Sequence, residues 1–79
     1  RAEIACRKVK KGGVVELTLK SRVLARDVFV EVPLQGARFS DNFFDLLPGE
    51  TKRITVSSAD GSPLEDVSVV IHQLADVRE

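Results

Sequence analysis

FSDNFFDLLPGET, residues Phe39 to Thr51, is the stretch from which the rest of the chain is read. It holds three of the four phenylalanines, Phe39, Phe43 and Phe44, and adds Leu46 and Leu47. Each such side chain, fully buried, contributes about 1.5–3 kcal/mol, so the stretch reads as a buried apolar corner. Ser40, Asp41 and Asn42 can bond their own backbone and hold a turn. Pro48-Gly49 suits the centre of a type II turn, proline fixing φ and glycine accepting a positive one. Physically, these residues specify a shape and no chemistry.

Outward from this corner the chain alternates. Glu3–Lys11 reads as an edge strand, with Ile4 and Cys6 on one face and Ala5 and Val9 on the other. Gly12-Gly13 is a turn, and Val14–Ser21 is a half-buried strand with Val15, Leu17 and Leu19 inward. Ser21–Arg26 reads as a polar connection. Asp27–Val32 follows as a strand with Val28, Val30 and Val32 inward, closed by Pro33. Its Phe29 faces outward between two acids, which suggests cover from a loop or a partner.

Beyond the corner, Lys52–Ser58 places Ile54 and Val56 inward, and ADGSP, Ala59–Pro63, is a turn. The last strand, Asp66–Leu74, sets Val67, Val69 and Ile71 on one face. Val70, His72 and Leu74 lie on the other, so it is expected to be central or covered from outside the chain. No segment holds helical periodicity, and short strands separated by Gly/Pro turns predict an all-β antiparallel sandwich.

FSDNFFDLLPGE, from Phe39 to Glu50, resembles the signature of the C-terminal immunoglobulin-like domain of β-mannosidases, family-2 glycoside hydrolases. In that family an aromatic-Ser-Asp-Asn-aromatic-aromatic-Asp-Leu run precedes a Pro-Gly-Glu turn and a strand, here Lys52–Val56. Outside this centre the likeness is weaker, carried by Val14–Ser21, Val28–Val32 and the end at Leu74-Ala75-Asp76. The resemblance implies an immunoglobulin-like antiparallel β-sandwich acting as a non-catalytic accessory domain. Its parent is expected to hydrolyse terminal β-D-mannose, with both catalytic glutamates in a separate barrel. No catalytic residue is therefore carried over, and no cofactor is expected. The implied partners are the other domains of the glycosidase and, through them, a mannoside. The implied compartment is periplasmic or secreted in a bacterium and lysosomal in an animal.

Composition agrees with this reading. At 79 residues the chain falls short of the about 100 that such sandwiches usually need. It is expected to be one domain cut from something larger, and its opening on Arg1 points the same way. Twelve basic and twelve acidic side chains give a net charge of +0, which argues for neither nucleic acid nor a membrane surface. Arg7, Lys8, Lys10 and Lys11 read as charges protecting a strand edge. No apolar run approaches the ~20 residues of a membrane span, and no signal peptide is visible.

Candidate chemistry is thin. A glycosidase needs two carboxyls about 5–9.5 Å apart, but the turns already explain Asp41, Asp45 and Glu50. An EF-hand spacing from Asp41 to Asp45 fails at Phe43 and at Leu46, which replaces the required glycine. His72, the one histidine, and Cys6, the one cysteine, make no zinc site. Cys6 reads as a buried strand thiol. The alternative function is a free-standing carbohydrate- or protein-binding module. Without Trp or Tyr, and with only Phe29 reading as exposed, it lacks an aromatic platform. Phe29, Val70, His72 and Leu74 are the interface candidates.

Overall fold

Alternation of apolar and polar residues produces two antiparallel sheets in the computed structural model, which describes residues 2–65 and 67–74. The strands are β1 (Ile4–Lys11), β2 (Val14–Ser21), β3 (Ala25–Glu31), β4 (Arg38–Phe39), β5 (Phe44–Leu46), β6 (Thr51–Ser57) and β7 (Val70–His72). One sheet has the order β1-β2-β6-β4 and the other β5-β3-β7. Gly12 and Gly13 join β1 to β2 with φ of 56° and 88°. Positive φ at both positions is the turn whose twist matches a two-residue hairpin.

The facing sides of the sheets share one core. Val15, Leu17 and Leu19 of β2 and Ile54 and Val56 of β6 meet Ala25, Val28 and Val30 of β3 and Leu46 of β5. Leu17, Leu19, Val28, Leu46 and Val56 have no accessible surface. The inward residues named from alternation in β2, β3 and β6 are therefore the core, with Val32 packed at its margin. This is an immunoglobulin-like β-sandwich.

Several expectations need correction. The corner is only partly buried: Leu46 is in the core and Phe39 and Phe44 pack against it, but Phe43 and Leu47 are 69% and 53% exposed. Cys6 is exposed rather than buried. By register it faces Leu19, yet β1 is the edge of its sheet. β3 begins at Ala25, inside the expected polar connection. The last strand is confined to Val70–His72 and is neither long nor central, since it borders only β3 among the described residues. Val67, Val69 and Ile71 do turn to the core; Asp66, Ala75 and Asp76 lie outside the described residues.

Candidate functional site

The polar residues of the Phe39–Glu50 stretch are occupied in holding its turns and strands, and two of them, Ser40 and Asn42, reach one sheet each. Ser40 behaves like a further residue of β4. Its N–H donates to Thr55 O at 2.9 Å and its Oγ accepts the Thr55 N–H at 2.8 Å. Two residues on, Asn42 does the same for the other sheet. Its Oδ1 accepts the Val30 N–H at 2.8 Å and its Nδ2 donates to Val30 O at 3.1 Å. One side-chain amide thus stands in for a backbone neighbour of β3 before β5 begins, and satisfies groups that burial would otherwise penalise.

The carboxylates are likewise accounted for. Asp41 bonds Lys52 Nζ at 2.6 Å and accepts the Asn42 N–H at 2.8 Å. The Lys52 hydrogen bond, followed by that N–H, holds its carboxyl below the usual range. Lys52 Nζ also lies 5.1 Å from the centre of the Phe44 ring, within cation–π reach. Asp45 Oδ1 accepts the Asp27 N–H at 3.0 Å. Glu50 Oε1 accepts the Leu47 N–H at 3.0 Å while its own N–H returns to Leu47 O at 3.0 Å. That second bond closes the Pro48-Gly49 turn, with Gly49 at φ 77°. Asp41, Asp45 and Glu50 therefore serve the fold.

The outer face of β5-β3-β7 is different. Phe29 is opposite His72 and Glu31 opposite Val70, which puts all four on the side away from the core. Phe43, just before β5, stacks on Phe29 with ring centres 5.0 Å apart and planes at 17°. His72 stacks on the β7 side of Phe29 at 4.5 Å and 16°, and its Nε2 meets Glu31 Oε1 at 2.9 Å. These spacings match the about 4.8 Å between neighbouring strands, so one ring stands on each strand position. Phe29, expected to be covered by a loop or a partner, is covered within the chain, by Phe43 from the segment before β5 and by His72 of β7. Phe43 keeps one ring face open, and Val70 and Leu74, 49% and 48% exposed, extend the apolar surface. Phe29, His72 and Val70 thus share one face by register, and Leu74 is exposed two residues past the end of β7.

Phe43 also sits at φ 58°, in the left-handed region. For a bulky residue this is a genuine outlier, with a cost of order 1–3 kcal/mol. Asn42 locks the preceding residue to β3, so the surrounding bonds hold Phe43 in that state. Sequence reading missed it, although a signal was present: adjacent Phe43 and Phe44 at a strand start must face opposite ways.

Other features carry less. An open groove of 1220 Å³ lies between the ends of β1 and β2, but its Ser21 Oγ is taken up by the Val23 N–H at 3.3 Å. Cys6 is pushed up in pKa by partial burial, opposed in part by Lys8, so its thiolate is not favoured. Of the basic edge residues, Lys8 bonds Val67 O at 2.7 Å and Lys10 pairs with Glu65 at 3.1 Å. No group of three or more potential metal ligands occurs among the described residues.

Residues 1–77 match the family model for the Ig-fold domain of mannosidases. The chain belongs to that family. A comparison with curated proteins returned no match. Membership in the mannosidase Ig-fold family agrees with a site built of stacked rings and of carboxylates that hold turns and strands, since Ig-fold domains of this kind are generally non-catalytic. In this mannosidase Ig-fold domain the signature between Phe39 and Glu50 is a structural clasp, and the exposed chemistry lies beside it.

Proposed function

We propose that this chain is the C-terminal accessory domain of a β-mannosidase-like glycoside hydrolase, which it stabilises by packing its β5-β3-β7 outer face on the catalytic part. The parent enzyme in this reading removes terminal β-D-mannose, and the domain contributes no catalytic group. The observation that carries it is the cluster of Phe43, Phe29, His72 and Val70 on one face of a domain of the mannosidase Ig-fold family, with exposed Leu74 following β7. Exposed aromatic and aliphatic groups gathered on one face mark interaction surfaces.

The stacked geometry favours a protein partner over a flat sugar platform. Both faces of Phe29 are already covered, so the row offers ring edges and one open face, whereas stacking on sugars uses exposed ring faces. The test is to detect the native polypeptide with an antibody to this chain and to assay the purified product on p-nitrophenyl β-mannoside. A polypeptide several times larger than 8.7 kDa that releases nitrophenol supports the proposal. A native product of this size, or a large one inactive on β-mannoside, overturns it.

A further inference from the structure

Ser21 ties two connections together at one end of the sandwich. Its carbonyl accepts the Gly49 N–H at 2.8 Å and its Oγ accepts the Val23 N–H at 3.3 Å. The segment between β2 and β3 is thereby held against the turn between β5 and β6. Antiparallel pairing of Ala25 with Leu46 does the same from the strand side. Ala25 and Leu46 are buried, and the residues next to them, Leu24 and Leu47, turn away from the core and are 45% and 53% exposed. Val23, beside Leu24 in the chain, is 54% exposed. Three aliphatic side chains thus stand in water on segments that the fold holds together. Phe43, Val70 and Leu74 belong to the outer face already described; this second group marks an interaction surface at the end of the sandwich.

The chain enters the fold at the same end. Ile4 is opposite Ser21, so the residues before β1 run past the β2–β3 connection. Glu3, Ile4 and Ala5 line the open groove of 1220 Å³ together with Arg22, Val23 and Gly49. Ala2 is buried, and Gln73 holds both of its backbone groups. The Ala2 N–H donates to Gln73 Oε1 at 3.2 Å and the Ala2 carbonyl accepts Gln73 Nε2 at 2.7 Å. This side-chain amide acts as a strand neighbour and fixes the point of entry. A module joined by a short link to Ala2 meets the Val23 end at an effective concentration in the millimolar range.

We infer that this end of the sandwich seats the part of the parent polypeptide that directly precedes the chain, with Val23, Leu24 and Leu47 buried against apolar side chains of that part. On the accessory-domain reading above, on which this depends, the surface buried in the parent extends from the ring row to the point of chain entry. A glycan is the poorer occupant, since none of the three residues offers a ring face.

Hydrogen exchange read by mass spectrometry compares this chain alone with the longer glycosidase polypeptide proposed to carry it. Peptides covering residues 22–24 and 47–50 are expected to exchange at least about tenfold more slowly in the longer polypeptide. Leu24→Asp and Leu47→Asp, each made in both settings, should lower the Tm of the longer polypeptide by several degrees and leave that of the chain alone unchanged. Equal exchange in the two settings, or equal Tm shifts, overturns the inference. So does a dimer of the chain alone that these substitutions dissociate, which would make a second copy the occupant. Slowing confined to Val70–His72 overturns this seat and leaves the docking reading intact. Slowing at neither surface, or a native product no larger than this chain, overturns both.

Discussion

Replacing Asn42 by alanine tests whether the Phe39–Glu50 signature is a clasp between sheets. Asn42 makes two hydrogen bonds to the backbone of Val30, at 2.8 and 3.1 Å, and Val30 is 3% exposed. Each bond contributes about 0.5–1.5 kcal/mol net, and a buried backbone group left without a partner costs about 1–3 kcal/mol. Asn42 is itself half-buried, so water reaches part of the vacated space and the expected loss is about 2–4 kcal/mol. A domain of this length has a total stability of about 4–12 kcal/mol. The variant should therefore lose a large share of it, with Tm lowered by about 10–25 °C. Urea unfolding followed by far-UV circular dichroism is the suitable assay, because the chain has no Trp or Tyr to report by fluorescence. A loss below about 0.5 kcal/mol, the range of an ordinary surface substitution, would refute the idea that this amide substitutes for a strand.

Three further outcomes follow from single positions. Gly49→Ala should cost about 1–2 kcal/mol from backbone conformation alone, since φ is 77° and nothing lies within 4 Å of an added Cβ; Gly49→Asn should recover most of it in the same urea titration. Asp60 is held well below its ordinary 3.8 first by the Ser58 hydroxyl, then by the Ser62 hydroxyl and N–H, and Asp41 is lowered by Lys52 and the Asn42 N–H. A folded-state pKa below the unfolded one gives stability that is complete above the unfolded value and lost as pH falls through the folded one. Tm should thus drop below pH 4, and drop less in Asp60→Asn; an unchanged pH profile in that variant contradicts the assignment. Cys6 should react with a thiol reagent in the native state, at pH 8 more slowly than free cysteine because its pKa is raised. Reaction only on unfolding would contradict its exposure.

The sandwich is legible in the sequence wherever one face of a strand is buried and the other wet. Val15, Leu17 and Leu19 in β2, and Ile54 and Val56 in β6, alternate with polar residues, and that period alone assigns both strand and core face. Turns with defined chemistry, Gly12-Gly13 and Pro48-Gly49, are equally readable. Cys6 is not legible in this way. Its parity in β1 points inward, but β1 is the edge of its sheet, and no local pattern reports which strand will lie at an edge.

Side-chain bonds across the sandwich are illegible for a related reason. Asn42 and Val30 are 12 residues apart and Ser40 and Thr55 are 15, and composition does not reveal which backbone group a polar side chain will meet. The exposed, left-handed Phe43 follows from that hidden anchor, so an aromatic expected in the core came out on the surface. Phe29, Val70, His72 and Leu74 stand out in the sequence because each breaks the inward-outward pattern. That Phe29, Val70 and His72 share one face depends on β3–β7 register, which the sequence alone does not set.

The most direct test of the account compares Leu74→Asp and Val70→Lys in this chain alone and in the longer glycosidase polypeptide proposed to carry it. Both residues are about half exposed, and Val70 lies opposite Glu31, so neither change should alter the isolated chain by more than about 0.5 kcal/mol. If the outer face of β5-β3-β7 docks on the catalytic part, each variant lowers the Tm of the full polypeptide by several degrees and leaves that of the chain alone unchanged. Equal shifts in the two settings would contradict the docking role.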